Sequence, residues 1–390
     1  MFQEKLKQID QKLIDLLGKR IAILAESEYI SLEEQTTNLT FSLVESGVPE
    51  SIWKNLVMGC VSAVATANFP VAKVKPRRVT LVGGCGLMGH FFQQKLSAAG
   101  HYISILDRGD WEQAKLLLDG ADLVLVCVPI EYTTEVIRKL AQYLTPTTAL
   151  ADIASIKTPI LQTMLEHHSG PVMGFHPMFG PGIKSFLSQK VVVCPGREDA
   201  AFQWFLDLIA NDGGKLITST PEEHDQMMMA VQAIRNFKTF SLGVFLAEEE
   251  IDIRRSLDFS SPVFRLEIDM ASRMFTQSAS MVVDIMLATP ERRAAINRLA
   301  FTYHRLAQLI IQNDRETLIQ EFKLAHSFLG EEINSAAEES AYVINALSVL
   351  LAAKEVGQKQ SSFVIQKSGG SVSTTLNNQV GGRRQKGTHI

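Results

Sequence analysis

VTLVGGCGLMGHFFQQKLSAAGHYISILD, residues 79–107, holds in order a short β-branched apolar run, a glycine turn, a helical segment and a second strand that ends in an acid. The turn, Gly84-Cys85-Gly86-Leu87-Met88-Gly89, has the spacing G-x-G-x-x-G. That spacing alone is weak evidence. Set between a strand and a helix, with Asp107 about 20 residues further on, it forms the dinucleotide fingerprint. Each position has a physical task. Gly84 makes the tight turn, Gly86 lets a pyrophosphate approach the backbone, and Gly89 lets the helix pack close to the strand. The helix N-terminus at Leu87 and Met88 then holds phosphate charge. Asp107 accepts from a ribose 2′-hydroxyl and repels a 2′-phosphate, which favours NAD over NADP, although Arg108 beside it softens the preference. The bland reading is a glycine-rich turn with no ligand, and it does not account for the full strand, turn, helix and acid.

Further along, DLVLVCVP (122–129) is almost continuously apolar, as a strand buried on both faces is. TALADIAS (148–155), PVMGFHP (171–177), KVVVC (190–194) and KLITST (215–220) read as more strands, with helical stretches between them. This alternation requires right-handed crossovers and a mostly parallel sheet, so residues 77–220 are expected to form an α/β Rossmann domain. After Pro221 the pattern is helical. EEHDQMMMAVQAIRNFKTFSLGVFLAEE reads as one long helix and residues 260–355 as several more, giving an all-helical domain over 221–355 with apolar surface to bury against a second subunit. Residues 1–70 are helical too. Leu6, Ile9, Leu13, Leu17 and Leu24 share one helix face, and Pro49 suits the first turn of another helix. FPVAKVKPRR (69–78) is a linker. The tail, 356–390, is rich in Ser, Gly, Gln, Asn and Thr and reads as disordered.

The chain has 390 residues, 46% hydrophobic and 21% charged, enough for two or three domains with real cores. The net charge is −4, and the five basic residues of the tail leave −9 for the rest. Such a balance argues against nucleic acid as the main partner. Cys60, Cys85, Cys127 and Cys194 form no CxxC pair, which argues against a zinc site and a disulfide framework and fits a reducing compartment. The N-terminus has no apolar signal core, and no stretch reaches the ~18 continuous apolar residues of a membrane span. A cytoplasmic protein without membrane or metal is expected.

His176 lies in GFHPMFGPG (174–182) at the end of an apolar strand. In a doubly wound sheet that end faces the crevice that holds a nicotinamide. An imidazole there can take a hydroxyl proton near neutral pH. A histidine at a strand end can equally be structural, and the residues alone leave both readings open. Ser155, in DIASIK (152–157), either orients His176 or caps a helix. His167 and His168, in LEHHSG, read as an exposed helix end, because no third metal ligand stands at suitable spacing. SSPVFRLEIDMASRMF (260–275) carries Arg265 and Arg273 on roughly one side of a helix, among apolar residues. A buried arginine needs an anion. The bland partner is Glu267 or Asp269, and the sharper one is a substrate carboxylate held by the planar fork.

The set GGCGLMG, VCVPI, DIASIK, GFHPMFGP, EEHDQ, QAIRNF and SSPVFRLE…RMF resembles prephenate dehydrogenase. The likeness is greatest to the bifunctional bacterial type with a chorismate mutase domain in front. It covers roughly 78–345, with a weaker likeness over 1–68. The resemblance implies NAD-dependent oxidative decarboxylation of prephenate to 4-hydroxyphenylpyruvate in tyrosine biosynthesis. It implies that His176 takes the proton of the 4-hydroxyl, with Ser155 beside it. Arg273 would bind a substrate carboxylate, with Arg265 in support. Val128 and Pro129 would join the glycine turn at the cofactor, and the helical domain would form a homodimer. Asn236 stands where the family usually has a histidine that touches tyrosine or the substrate side chain, so the choice between prephenate and arogenate stays open.

By the same resemblance, residues 1–70 are a small chorismate-mutase-like domain. Arg20 matches one of its cations. Gln3 replaces another, the expected lysine falls near Ser31, and Glu33-Glu34-Gln35 replaces a motif with Arg-Glu. One cation beside extra carboxylates is a poor site for a dianion, so a degenerate domain that serves packing or dimerisation is expected. Two other functions compete. A β-hydroxyacid dehydrogenase would need a catalytic helix lysine, and only Lys238, near the far end, is present. A regulatory protein that binds NAD without chemistry would leave the set of His176, Ser155 and Arg273 unexplained.

Overall fold

The structure, a computed structural model, describes residues 2–26, 34–35, 40–67 and 75–368. Ser31, Glu33, most of the linker and the tail from 369 onward lie outside the described residues. The chain divides into two compact units, one of Met1–Lys238 with Gln277–Leu299 and the other of Thr239–Thr276 with Ala300–Ile390.

The first unit opens with helices α1 (Phe2–Glu26), α2 (Thr40–Glu45) and α3 (Glu50–Ala67). Helix α1 packs on α3, yet it contains no fully buried residue. Next come β1 (Arg78–Val82), α4 (Leu87–Ala98), β2 (Tyr102–Leu106), α5 (Ala114–Leu118), β3 (Leu123–Val126) and α6 (Ile130–Ala141). After these follow β4 (Ala149–Asp152), α7 (Thr158–His167), β5 (Val172–Pro177), β6 (Lys190–Arg197), α8 (Gln203–Asn211) and β7 (Lys215–Thr218). The seven strands form one sheet in the order β2-β1-β3-β4-β5-β6-β7. All neighbours are parallel except β5 and β6. The expected α/β sheet is therefore present.

The continuous apolar run of β3 is explained by burial on both faces. Val124 and Val126 join Ile137, Leu140, Ile160 and Met164 on one side. Leu123 and Leu125 join Phe91, Phe92 and Phe205 on the other. These two layers of helices clamp the sheet, so the loops at its carboxyl edge are held by a rigid frame. Strand order reverses at β1, and β2 and β3 leave on opposite sides of it. The crevice at this switch point is where the glycine turn stands.

Residues 222–249, expected as one helix, are three pieces: α9 (Pro221–Met228), a π-helical segment (Met229–Ile234) and α10 (Arg235–Glu248). Thr220 caps α9 by accepting from the Glu223 amide, and Pro221 occupies the first turn. The first unit also contains α13 (Ala279–Leu287), reached after α11 (Ile253–Asp258) and α12 (Pro262–Phe275) of the second. Helix α13 packs on the π segment and on α6. The first compact unit runs to Lys238, because the π segment and α13 pack with the Rossmann elements.

The second unit holds α11 and α12, most of α14 (Pro290–Ile311), then α15 (Arg315–Leu329) and α16 (Glu332–Ser368). Ser261 caps α12, which buries Ile268, Ala271 and Met274. Helix α16 extends past the boundary expected at 355, to Ser368. Its stretch Glu332–Lys354 is long and apolar enough to cross a membrane by length and composition. That is a correction to the expectation that no such segment exists, which counted only unbroken apolar runs.

Candidate active site

The glycine turn is built for a close ligand. Gly83, one residue before the fingerprint, carries the left-handed backbone, with φ of 80°. The turn therefore falls there and not at Gly84. A Cβ on Gly83 would lie 2.9 Å from the Cys127 carbonyl oxygen and from Val128 Cγ1, which sets Val128 against the turn. A Cβ on Gly89 would lie 2.6 Å from the Gly83 carbonyl oxygen, so α4 approaches β1 only because Gly89 has no side chain. Gly86 and Leu87 are exposed at the helix start, and Met88 packs on the core. Pro129 immediately precedes α6. Asp107 directly follows β2, and its carboxylate accepts from the amides of Cys85 at 3.2 Å and Arg108 at 2.9 Å. Burial opposes ionisation, but these amides bring the Asp107 pKa below its ordinary value. An ionised acid at this position fits a ribose diol, and the bare helix start fits a pyrophosphate. The Arg108 guanidinium lies 5.3 Å from the centroid of the Tyr132 ring.

At the same carboxyl edge, β5 delivers His176, which is 3% exposed. Its ring is held by a chain of hydrogen bonds. Asp225 Oδ1 lies 2.8 Å from His224 Nδ1, His224 Nε2 lies 2.8 Å from His176 Nδ1, and His176 Nε2 lies 3.2 Å from Gln232 Nε2. The chain has one consistent direction. A carboxylate only accepts, so His224 donates from Nδ1 and keeps a lone pair on Nε2. His176 then donates from Nδ1 and keeps its own lone pair on Nε2, to which the Gln232 amide donates. The orienting contact expected from Ser155 is thus made by His224. Ser155 instead offers its carbonyl oxygen to Arg292 Nη2 at 2.9 Å.

Asp225 has further duties. It accepts from the amides of Lys157 at 2.8 Å and Thr158 at 2.9 Å, which caps the start of α7. Partial burial opposes its ionisation, but the bonds from His224, Thr158 and Lys157 bring its pKa down to about 2. Below the site, Lys157 Nζ pairs with Asp152, both side chains being wholly buried. Burial pushes the Asp152 carboxyl up, against the pull of Lys157. Burial also holds His176 well below its ordinary pKa of 6.5, and the charges of Lys157 and Arg292 add to this. His176 is therefore neutral near pH 7, in the form a base requires.

His224, Asp225, Gln232, Lys157 and Arg292 were not picked from sequence. EEHDQ and DIASIK contain three of them and QAIRNF contains Gln232, but nothing local marks a histidine one turn into a helix as the partner of a distant strand end. His168 corrects another expectation. It is 4% exposed and its Nε2 binds the Thr148 carbonyl oxygen at 2.8 Å, so it closes the core behind α7. His167 is exposed, and among the described residues no group of His, Cys, Asp or Glu is placed to hold a metal. Asn236 is buried and accepts from Arg235 Nη1 at 3.3 Å. In the second unit Arg265 is half-buried, with Nε 3.8 Å from Asp269, close to the expected ion pair. Arg273 is exposed, on a different side of α12 from Ile268, Ala271 and Met274.

Comparison with known proteins settles the family. Residues 87–218 match the model described as prephenate dehydrogenase, nucleotide-binding domain, and residues 220–324 match prephenate dehydrogenase, dimerization domain. The T-protein of Enterobacter agglomerans is 34% identical over 360 residues, 88% of this chain and 96% of that one. The chain belongs to the prephenate dehydrogenase family. The T-protein of Haemophilus influenzae is 32% identical, with 88% and 95% covered. The fold is that of a prephenate dehydrogenase from Aquifex aeolicus solved with hydroxyphenyl propionate and NAD+, at a TM-score of 0.54, 18% identity, and coverage of 65% of this chain and 97% of that one. The activity of this prephenate dehydrogenase is NAD-dependent oxidation of prephenate, and the competing β-hydroxyacid and regulatory readings fall away.

Proposed function

We propose that His176 Nε2 is the base of prephenate oxidation and that His224 and Asp225 are positioning residues that keep this nitrogen free of hydrogen. The observation that supports this is the single direction of the Asp225–His224–His176 chain. NAD, when bound at the glycine turn, supplies the hydride acceptor. As hydride leaves C4, the C4 hydroxyl proton passes to His176 Nε2. The ring carboxylate departs as CO2, its bonding pair aromatises the ring, and His176 returns the proton to the phenolate oxygen. Asp225, ionised throughout, balances the positive charge shared by the two imidazoles.

Arg273 and Arg265 are the proposed carboxylate ligands, with Ser155 beside the base and Asn236 at the substrate side chain. Arogenate is the second substrate to consider, because Asn236 replaces the family histidine. A homodimer through residues 221–355 is supported by apolar surface left open in one chain: Phe301 is 67% exposed, Phe322 72% and Phe328 90%. Glu338 and Glu339 lie inside the apolar stretch of α16 and favour a protein partner over lipid. Unpaired thiols at Cys60, Cys85, Cys127 and Cys194 support a cytoplasmic location.

The N-terminal helices are proposed as a mutase-like domain without mutase activity. Arg20 is already engaged, donating to Gln35 Oε1 at 2.7 Å and lying 5.6 Å from the Trp53 ring centroid. The deciding assay follows NADH absorbance with prephenate, arogenate and a 3-hydroxyacid, and prephenate formation from chorismate. The expected result is turnover of prephenate and none of chorismate. NAD binding with no turnover of any substrate would end the catalytic reading, and enzymatic conversion of chorismate would end the degenerate-domain reading.

A further inference from the structure

The residue facing the base is Gln232, which takes no part in the transfer of the hydroxyl proton to His176. It comes from the π-helical segment, whose wider turn alters which side chains point inward, a distortion often found at functional sites. Its Nε2 donates to the lone pair of His176. Its Oε1 is buried and has no hydrogen-bond partner among the described residues. The carboxamide is thus held at the reactive nitrogen by one contact, and nothing at its other end keeps it from shifting to admit a substrate atom.

We propose that Gln232 is a catalytic residue that selects oxygen, rather than nitrogen, at C4 of the substrate ring. The inference rests on the reading of His176 as base. A C4 hydroxyl that reaches His176 Nε2 enters between the two side chains, where it donates its hydrogen to His176 and accepts from the Gln232 N–H. When the C4–H bond breaks, its electron pair leaves as hydride to NAD. The O–H bond breaks with its proton going to His176, and C4=O forms. The oxygen keeps two lone pairs throughout, so the Gln232 donor stays engaged. When the C1–carboxylate bond breaks and CO2 leaves, the electron pair flows through the ring to that oxygen. The donor then faces growing negative charge, as in an oxyanion hole.

A C4 amine fares differently. It gives one N–H to His176, and its single lone pair accepts from Gln232. Hydride loss draws that lone pair into the C=N bond while the N–H proton passes to His176; the pair left by that N–H points at His176, so the Gln232 N–H loses the lone pair it had faced. Gln232 therefore favours the hydroxyl substrate in the transition state rather than in the ground state.

The test compares prephenate with its C4-amino analogue in Gln232→Glu, nearly the same shape with an acceptor for the donor, and in Gln232→Met, which has neither. Removal of one such donor lowers kcat about 100-fold. Both variants are expected to lose about that much kcat on prephenate with ADP-ribose affinity unchanged by calorimetry. Gln232→Glu is also expected to raise the ratio of amine to hydroxyl kcat/KM at least about tenfold. A second reading does not depend on turnover. The phenol of bound 4-hydroxyphenylpyruvate, followed by ultraviolet absorbance, is expected to ionise at higher pH in Gln232→Met than in the parent. Equal losses on both substrates, a kcat close to the parent's, or an unshifted phenol would each overturn the role of Gln232. Those outcomes leave His176 untouched, because its own substitution is read separately.

Discussion

The His176→Asn variant is expected to lose about 10³-fold in kcat on prephenate while its affinity for ADP-ribose stays within about twofold of the parent. Asn fills much of the same space on β5. Its amide can still meet His224, so the buried chain keeps a partner. What disappears is the lone pair that Nε2 presents toward Gln232. The glycine turn after β1 and Asp107 directly after β2 do not touch this ring, so cofactor affinity has no reason to change. Rapid-mixing measurement of NADH formation, beside calorimetric titration with ADP-ribose, separates the two effects. A variant that keeps turnover within about threefold would show that another group takes the proton.

The Lys157→Met variant is expected to destabilise the first unit by about 3–5 kcal/mol, measured by urea unfolding. Lys157 and Asp152 pair with no exposure of either side chain. The stem of Lys157 runs under β5, where a Cβ on Gly174 would lie 2.8 Å from its Cδ. Removing the cation leaves Asp152 buried without a counter-charge, with only the Ala154 amide, at 2.8 Å, donating to it among the described residues. The double variant with Asp152→Asn is expected to recover much of the loss, since it removes the stranded charge as well. If Lys157→Met alone unfolds like the parent, the pair does not hold β5 beneath the active site.

The Rossmann sheet was legible because its signals are local. VTLVGG and DLVLVCVP are apolar runs of strand length, and G-x-G-x-x-G with Asp107 fixes where the chain turns. Even there the left-handed residue proved to be Gly83, which the spacing rule does not weigh. His176 was legible from its place at a strand end. Its partners were not, because His224 meets it from a helix far along the chain and Gln232 reaches it from a break in helical geometry. MMMAVQAI has nothing that distinguishes a π turn from an α turn, since the distortion is settled by what the side chains meet. His168 failed for a related reason: a polar residue after a helix is usually exposed, and only the fold shows the Thr148 carbonyl waiting for it. Arg273 was expected on a buried side, yet helical spacing reports which residues share a face and not which face is covered.

Nitrogen-15 NMR of the imidazole of His176, titrated from neutral pH to below 6.5, reads the protonation of each ring nitrogen directly. With Asp225 and His224 directing the chain, Nδ1 carries hydrogen and Nε2 stays bare, and the ring remains neutral at pH values where a free histidine is already charged. A hydrogen on Nε2 at neutral pH, or an imidazolium formed at the ordinary pKa of 6.5, would contradict this arrangement and remove His176 as the proton acceptor.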